Sequence, residues 1–231
     1  MAKFTPGAIV SELRNKIAAT VYTKNRAGAS IRNRTTPINR RSVGQTQKRQ
    51  QLSSLSSGWR ALTASQIAGW NAAAPSFPQQ DQLGQTIFLT GHQLYVRCNA
   101  NLILIGASQI TDAPTPASFA VLAIGTFTAV ASTGVISMAF TPTPVPTGFN
   151  LVVKATAPVS AGKSFVGNSA FRFILKEAAA AASPALLTTP YATVWGAITG
   201  KAGQKIFVEA YLVEVASGLA GIPVRSSAVI S

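Results

Sequence analysis

Leu52, Leu55, Trp59 and Leu62 recur at spacings of three, four and three, the stripe that one face of an α-helix presents to a core. Thr63 stands three residues before Gln66, the spacing of a capping box, so a second helix is predicted to start there. It carries Ile67 and Trp70 and stops before Pro75, and Pro75 to Gly84 reads as a loop. Thr90 and Gln93 repeat the capping spacing, and Leu94, Cys98, Leu102 and Ile105 then follow at helical intervals up to Gly106. Three helices with one apolar face each predict a small helical module over 43–106. Its anchors are Trp59, Trp70, Leu94 and Leu102, because large aromatic and aliphatic side chains dominate burial.

On either side of this module the pattern changes. In residues 1–42, Ala8-Ile9-Val10 and Ile17 to Tyr22 are short strand candidates flanking Arg14-Asn15-Lys16, which predicts a hairpin there. Ala29 to Arg34 is a further extended piece, broken by Pro37 and Asn39. Large apolar residues are too few here to build a core, so the segment reads as an extended arm that orders against something else. Residues 107–118, with Pro114 and Pro116, read as a linker. Beyond it the period is two, with strands predicted at 126–131, 135–141, 149–155, 170–176, 191–197, 205–215 and 223–230. Turn residues separate them, and the alanine run 178–182, closed by Pro184, is too short for a stable helix. Short strands at this spacing predict an immunoglobulin-like sandwich over 119–231. Glu209 and Glu214 are five apart in one strand and so have opposite parity, unless a bulge intervenes. The expected fold class is α+β: a basic arm with a β-hairpin, a small helical module, then an all-β sandwich.

Charge sharpens this division. The chain has 231 residues and a net charge of +14, and residues 1–60 hold twelve of the 20 Lys and Arg with one acid, Glu12. A polycationic segment is stabilised beside a polyanion: nucleic acid, an anionic membrane surface or an acidic protein. Lys24, Arg26, Arg32, Arg34, Arg40, Arg41, Lys48 and Arg49 are the candidate contacts, interleaved with Asn, Thr, Ser and Gln rather than aromatics. Arg suits bidentate phosphate contact, while the lack of stacking residues argues against sequence-specific single-strand recognition. Either a neighbouring subunit or nucleic acid phosphates satisfy such an arm.

Candidate chemistry is sparse. His92 is the single histidine, in the first turn of a predicted helix, and Cys98 is the single cysteine, on that helix's apolar face. Neither an intrachain disulfide nor a thiolate metal cluster can form. The six acids stand singly, and no phosphate-binding glycine loop or nucleophile elbow is present. No enzyme activity, cofactor or metal is expected. The N-terminus lacks an apolar signal core and no run of 18 apolar residues exists, so a soluble, cytoplasmically made protein with no membrane partner is expected.

The run Gly7-Ala8-Ile9-Val10-Ser11-Glu12-Leu13-Arg14-Asn15-Lys16-Ile17, then Val21 to Gly28 and Ile31-Arg32-Asn33-Arg34, resembles a poorly characterised family encoded by bacteriophages and prophages. The likeness continues through Pro37-Ile38-Asn39, Gln47, Arg49, Leu52, Leu55, Trp59 to Thr63, Gln66 and Trp70, and covers roughly residues 5–106. Ala18-Ala19 departs from it, at positions where glycines are expected. The sandwich is similar only to the general fibronectin type III and immunoglobulin-like modules common on virion proteins. The resemblance implies a structural component of the capsid, neck or tail that assembles with copies of itself and other virion proteins, and it transfers no catalytic residues. The alternative expectation is a packaging protein whose arm coats nucleic acid non-specifically.

Overall fold

The computed structural model describes residues 2–7, 10, 12–26, 28–35, 41–81, 83–116 and 118–231. The fold is α+β, with four helices and several antiparallel sheets. It divides into two compact units, Met1–Val96 and Arg97–Ser231.

The first unit begins with strands β1 (Ala2–Lys3), β2 (Asn15–Ile17), β3 (Thr20–Asn25) and β4 (Gly28–Asn33), which form one antiparallel sheet in the order β1-β4-β3-β2. A hairpin is present, but not the expected one around Arg14-Asn15-Lys16. Asn15 and Lys16 are themselves strand, and the two-residue turn is Ala18-Ala19, closed by the pairing of Ile17 with Thr20. Ala18 takes φ +50°, a left-handed conformation that favours glycine, so the chain makes this turn with the less suited residue. Of the strand candidate Ala8-Ile9-Val10, Ala8 and Ile9 lie outside the described residues.

The three predicted helices form, but of the stripe Leu52, Leu55, Trp59 and Leu62 only Leu55 is buried in α1, and Leu62 falls beyond its end. Ser42 caps α1 (Val43–Arg60) by accepting from the Gln45 N–H. Thr63 and Gln66 form a reciprocal capping box on α2 (Ala64–Ala73). Thr90 and Gln93 do the same for α3 (Gly91–Ile105), at 2.9 and 3.2 Å. Trp70, Leu94 and Leu55 are buried, Trp59 is half-buried, and Leu52 is 53% exposed. Trp59 and Trp70 both pack on Tyr95, at ring distances of 5.5 and 5.3 Å. Gly91 lets α3 start against α2, because a Cβ there would lie 2.8 Å from the Asn71 backbone nitrogen. Between α2 and α3, the expected loop carries a small ladder of β5 (Gln79–Gln80) with β6 (Thr86–Ile87). Its turn is organised by Asp81, whose carboxylate accepts from the N–H groups of Leu83 and Gln85.

The second unit opens with the remainder of α3, which ends at Gly106 (φ +70°) with the Ala107 N–H bonded to the Leu102 carbonyl. The expected linker 107–118 is tied into this unit. Buried Asn99 accepts from the Ile110 N–H at 2.8 Å and donates to its carbonyl at 3.2 Å. Then follow β7 (Ala123–Ala129), β8 (Ile136–Thr141), β9 (Phe149–Ala155), β10 (Val159–Ser160), β11 (Arg172–Glu177), β12 (Ala185–Leu186), α4 (Thr188–Trp195), β13 (Gln204–Glu214) and β14 (Val224–Val229). One sheet has the order β12-β8-β7, the other β10-β13-β9-β11 with β14 on β13. A single apolar core draws Phe127, Met138 and Phe140 from the first sheet and Leu151, Val153, Ile206, Val208 and Leu212 from the second. The hydrophobic alternation thus places two sheets face to face.

One predicted strand is wrong. Residues 191–197 were expected to be extended, yet 188–195 form α4. Tyr191, Thr193, Val194 and Trp195 have strand propensity, but Pro190 in the first turn and Gly196 (φ +81°) just past the end are the marks of a short helix. Tertiary bonds hold it: the buried Tyr191 hydroxyl donates to the Thr156 carbonyl at 2.9 Å, and the Trp195 Nε1–H donates to the Ala155 carbonyl at 3.2 Å. The β13 glutamates do lie on opposite faces. Glu209 is held by Arg225 at 2.7 Å and Lys154 at 3.7 Å, while Glu214 accepts from Ser217. Both faces of β13 are buried, since Tyr211 and Val213 pack with Leu102 and Ile105 of α3.

Candidate interaction surface of the N-terminal sheet

The pairing register sorts the basic residues onto faces. Val21 pairs with Arg32 and also with Lys16, so Lys16, Val21 and Arg32 form one cross-strand row on one face. The Arg34 N–H donates to the Ala19 carbonyl at 2.7 Å, which continues that register by another pair and brings Arg34 to the same face. Lys24, paired with Ala29, belongs to the opposite face with Tyr22 and Ile31. There its ammonium lies 3.2 Å from Glu12, which also binds Arg14 at 2.8 Å. These two cations hold the Glu12 carboxyl below its usual range, Arg14 foremost. Lys24 is therefore partly neutralised.

Arg26 is exposed in the β3–β4 turn, at the other end of the strands from Arg34. Arg41 is exposed just before α1, with φ +47°. Lys48 and Arg49 are exposed on α1, where Lys48 donates to Gln51 at 3.1 Å. Arg40 lies outside the described residues. The candidate list thus divides. Arg32 and Arg34 come together, joined by Lys16, a residue that charge counting alone did not single out. The signal that finds Lys16 is hairpin register, which appears only once the turn is set at Ala18-Ala19.

A further tie was missed because the acids look isolated in sequence. Lys3, on the Arg32 face of the sheet, lies 2.5 Å from Asp81, whose side chain is 2% exposed. The Lys3 ammonium, together with the N–H groups of Gln85 and Leu83, holds the Asp81 carboxyl below its usual range. This pair joins β1 to the β5–β6 turn.

The reactive groups sit elsewhere. Cys98 is fully buried, which pushes its thiol up to about 12, and the His92 ring packs against Trp59 at 5.5 Å. Among the described residues no three His, Cys, Asp or Glu side chains gather to hold a metal, and no helix is long and apolar enough to cross a membrane. No family model, no curated protein and no solved structure matches the chain.

Proposed function

We propose that this chain is a non-enzymatic structural component of a bacteriophage virion, in the capsid, neck or tail, and that copies assemble through the N-terminal sheet. The observation that carries the reading is a sheet without a core. Ser30 is the sole buried residue among its described positions, and its outer strands β1 and β2 are two and three residues long. A sheet that buries no apolar face is marginal in water, and its outer strands leave backbone groups unpaired. In β2, Asn15 and Ile17 turn their backbone groups toward β3, so those of Lys16 point outward, its N–H meeting Asn15 Oδ1 at 3.0 Å and its carbonyl facing the open edge. A strand from another copy satisfies them by β-augmentation. The likeness of the N-terminal run to a phage-encoded family supports the virion setting.

The strand order of the second unit supports the finer fold. Lettered along the chain, β7, β8 and β12 act as A, B and E of one sheet, and β11, β9, β13 and β14 as C′, C, F and G of the other. Apart from the two-residue β10 on β13, this division supports an immunoglobulin-like sandwich of the fibronectin type III kind.

Deleting residues 2–42 tests the assembly reading. Sedimentation and electron microscopy are expected to find rings, tubes or shells for the full chain, and a folded but unassembled protein for the deletion. A deletion that assembles like the full chain overturns the reading.

A further inference from the structure

We propose that the sheet face bearing Lys16, Arg32 and Arg34 is a nucleic-acid phosphate contact, distinct from the strand edges proposed for assembly. Neighbouring strands lie about 5 Å apart and alternate residues of one strand about 7 Å apart. Lys16 and Arg32, two strands apart, and Arg34, two residues on, therefore stand within about 12 Å of one another. All three are exposed, and none has an ion pair among the described residues. Three uncompensated cations this close repel one another, and an anion between them removes the repulsion.

Among the described residues no carboxylate of the same copy is ion-paired with the triad. Glu12 is committed to Arg14 and Lys24, Asp81 to Lys3, and Glu209 to Arg225 and Lys154. The other three acids, Asp112, Glu177 and Glu214, stand singly in the sequence, so a second copy has little negative charge to set against the triad. An acidic protein partner fits less well than a phosphate backbone. Protein interfaces centre on apolar anchors with charge at the rim, whereas this face offers Val21 among Lys16, Thr23, Ser30, Arg32 and Arg34. Two of the three cations are arginines, whose forked donors bind phosphate oxygens in pairs. The face has no aromatic ring to stack a base, so contact is with backbone and is independent of sequence.

The test is binding of a short mixed-sequence DNA duplex to the full-length protein across a salt series, with a polyglutamate chain as the rival ligand. Three phosphate contacts give a slope of log K against log salt near −3, a loss of about 40-fold between about 50 and 200 mM. The triple variant K16Q/R32Q/R34Q is expected to lose at least tenfold in DNA affinity, and R32Q/R34Q, which leaves the edge strand β2 untouched, is expected to leave assembly unchanged. The matched variant K48Q/R49Q/R60Q, which removes three charges from α1, is expected to keep most of it. Equal losses in the two variants mean diffuse attraction and overturn the site. Polyglutamate binding that depends on the triad, without DNA binding, overturns it in favour of an acidic protein. Loss of assembly in R32Q/R34Q refutes the separation of face from edge.

Discussion

Gly218 and Gly148 both adopt left-handed backbone, at φ +70° and +83°, yet their surroundings differ completely. A Cβ on Gly218 would lie 2.2 Å from the Cys98 carbonyl oxygen, whereas one on Gly148 would meet nothing within 4 Å. Gly218 is where the turn after β13 meets the backbone of α3, and the Asn101 amide donates to its carbonyl at 2.8 Å. Alanine at Gly148 carries only the conformational cost, about 1–2 kcal/mol. At Gly218 it adds overpacking against backbone that cannot move aside, for about 2–5 kcal/mol together. Denaturant midpoints of the two variants check this, and equal shifts would mean that α3 yields at Cys98. Neither glycine stands out in the sequence, where each is one turn residue among 18 glycines. The contact that separates them joins segments far apart in the chain.

At the scale of elements, legibility followed locality. The capping boxes at Thr63 and Thr90 were readable because donor and acceptor sit three residues apart, and the longer strands of the second unit because their alternation repeats over six or more residues, whereas the two-residue β10 and β12 give no such signal. Helix α4 was not, because β-branched and aromatic residues outweighed the Pro190 and Gly196 marks, and what holds it, Tyr191 to Thr156, spans 35 positions. The tie between β1 and the β5–β6 turn was equally hidden, since Lys3 and Asp81 are 78 residues apart. That tie has a pH signature. A carboxyl whose value is lowered by folding contributes stability that is present above its unfolded value, near 4, and is lost as pH falls through the lower folded value. Acid titration of the first unit, followed by the fluorescence of Trp59 and Trp70, is expected to show weakening that starts below about pH 4. Asp81→Asn is expected to be less stable at neutral pH and to lose most of this acid dependence. An unchanged acid profile in that variant would mean that other carboxylates set it.

For the whole molecule, salt acts with opposite sign on the two proposed interactions. The chain carries +14, and three of its six acids, Glu12, Asp81 and Glu209, are ion-paired within the same copy. Bringing copies together therefore concentrates positive charge, and Lys16 stands on β2, an edge that would pair. Charged edge strands discourage indiscriminate sheet extension, so a specific register must provide the attraction through backbone hydrogen bonds, which salt screens little. Raising the salt shortens the range of the repulsion to about 10 Å at 0.1 M while leaving those bonds intact. Assembly is therefore expected to strengthen with salt, whereas duplex DNA binding weakens with it through lost counterion release. At low salt, added DNA supplies the missing negative charge and is expected to promote assembly, an effect that fades as salt rises. Sedimentation of the full chain across a salt series, with and without duplex DNA, distinguishes these trends. Assemblies that dissolve as salt rises in the absence of DNA would show that ion pairs between copies hold them, and edge pairing would fail as the mechanism.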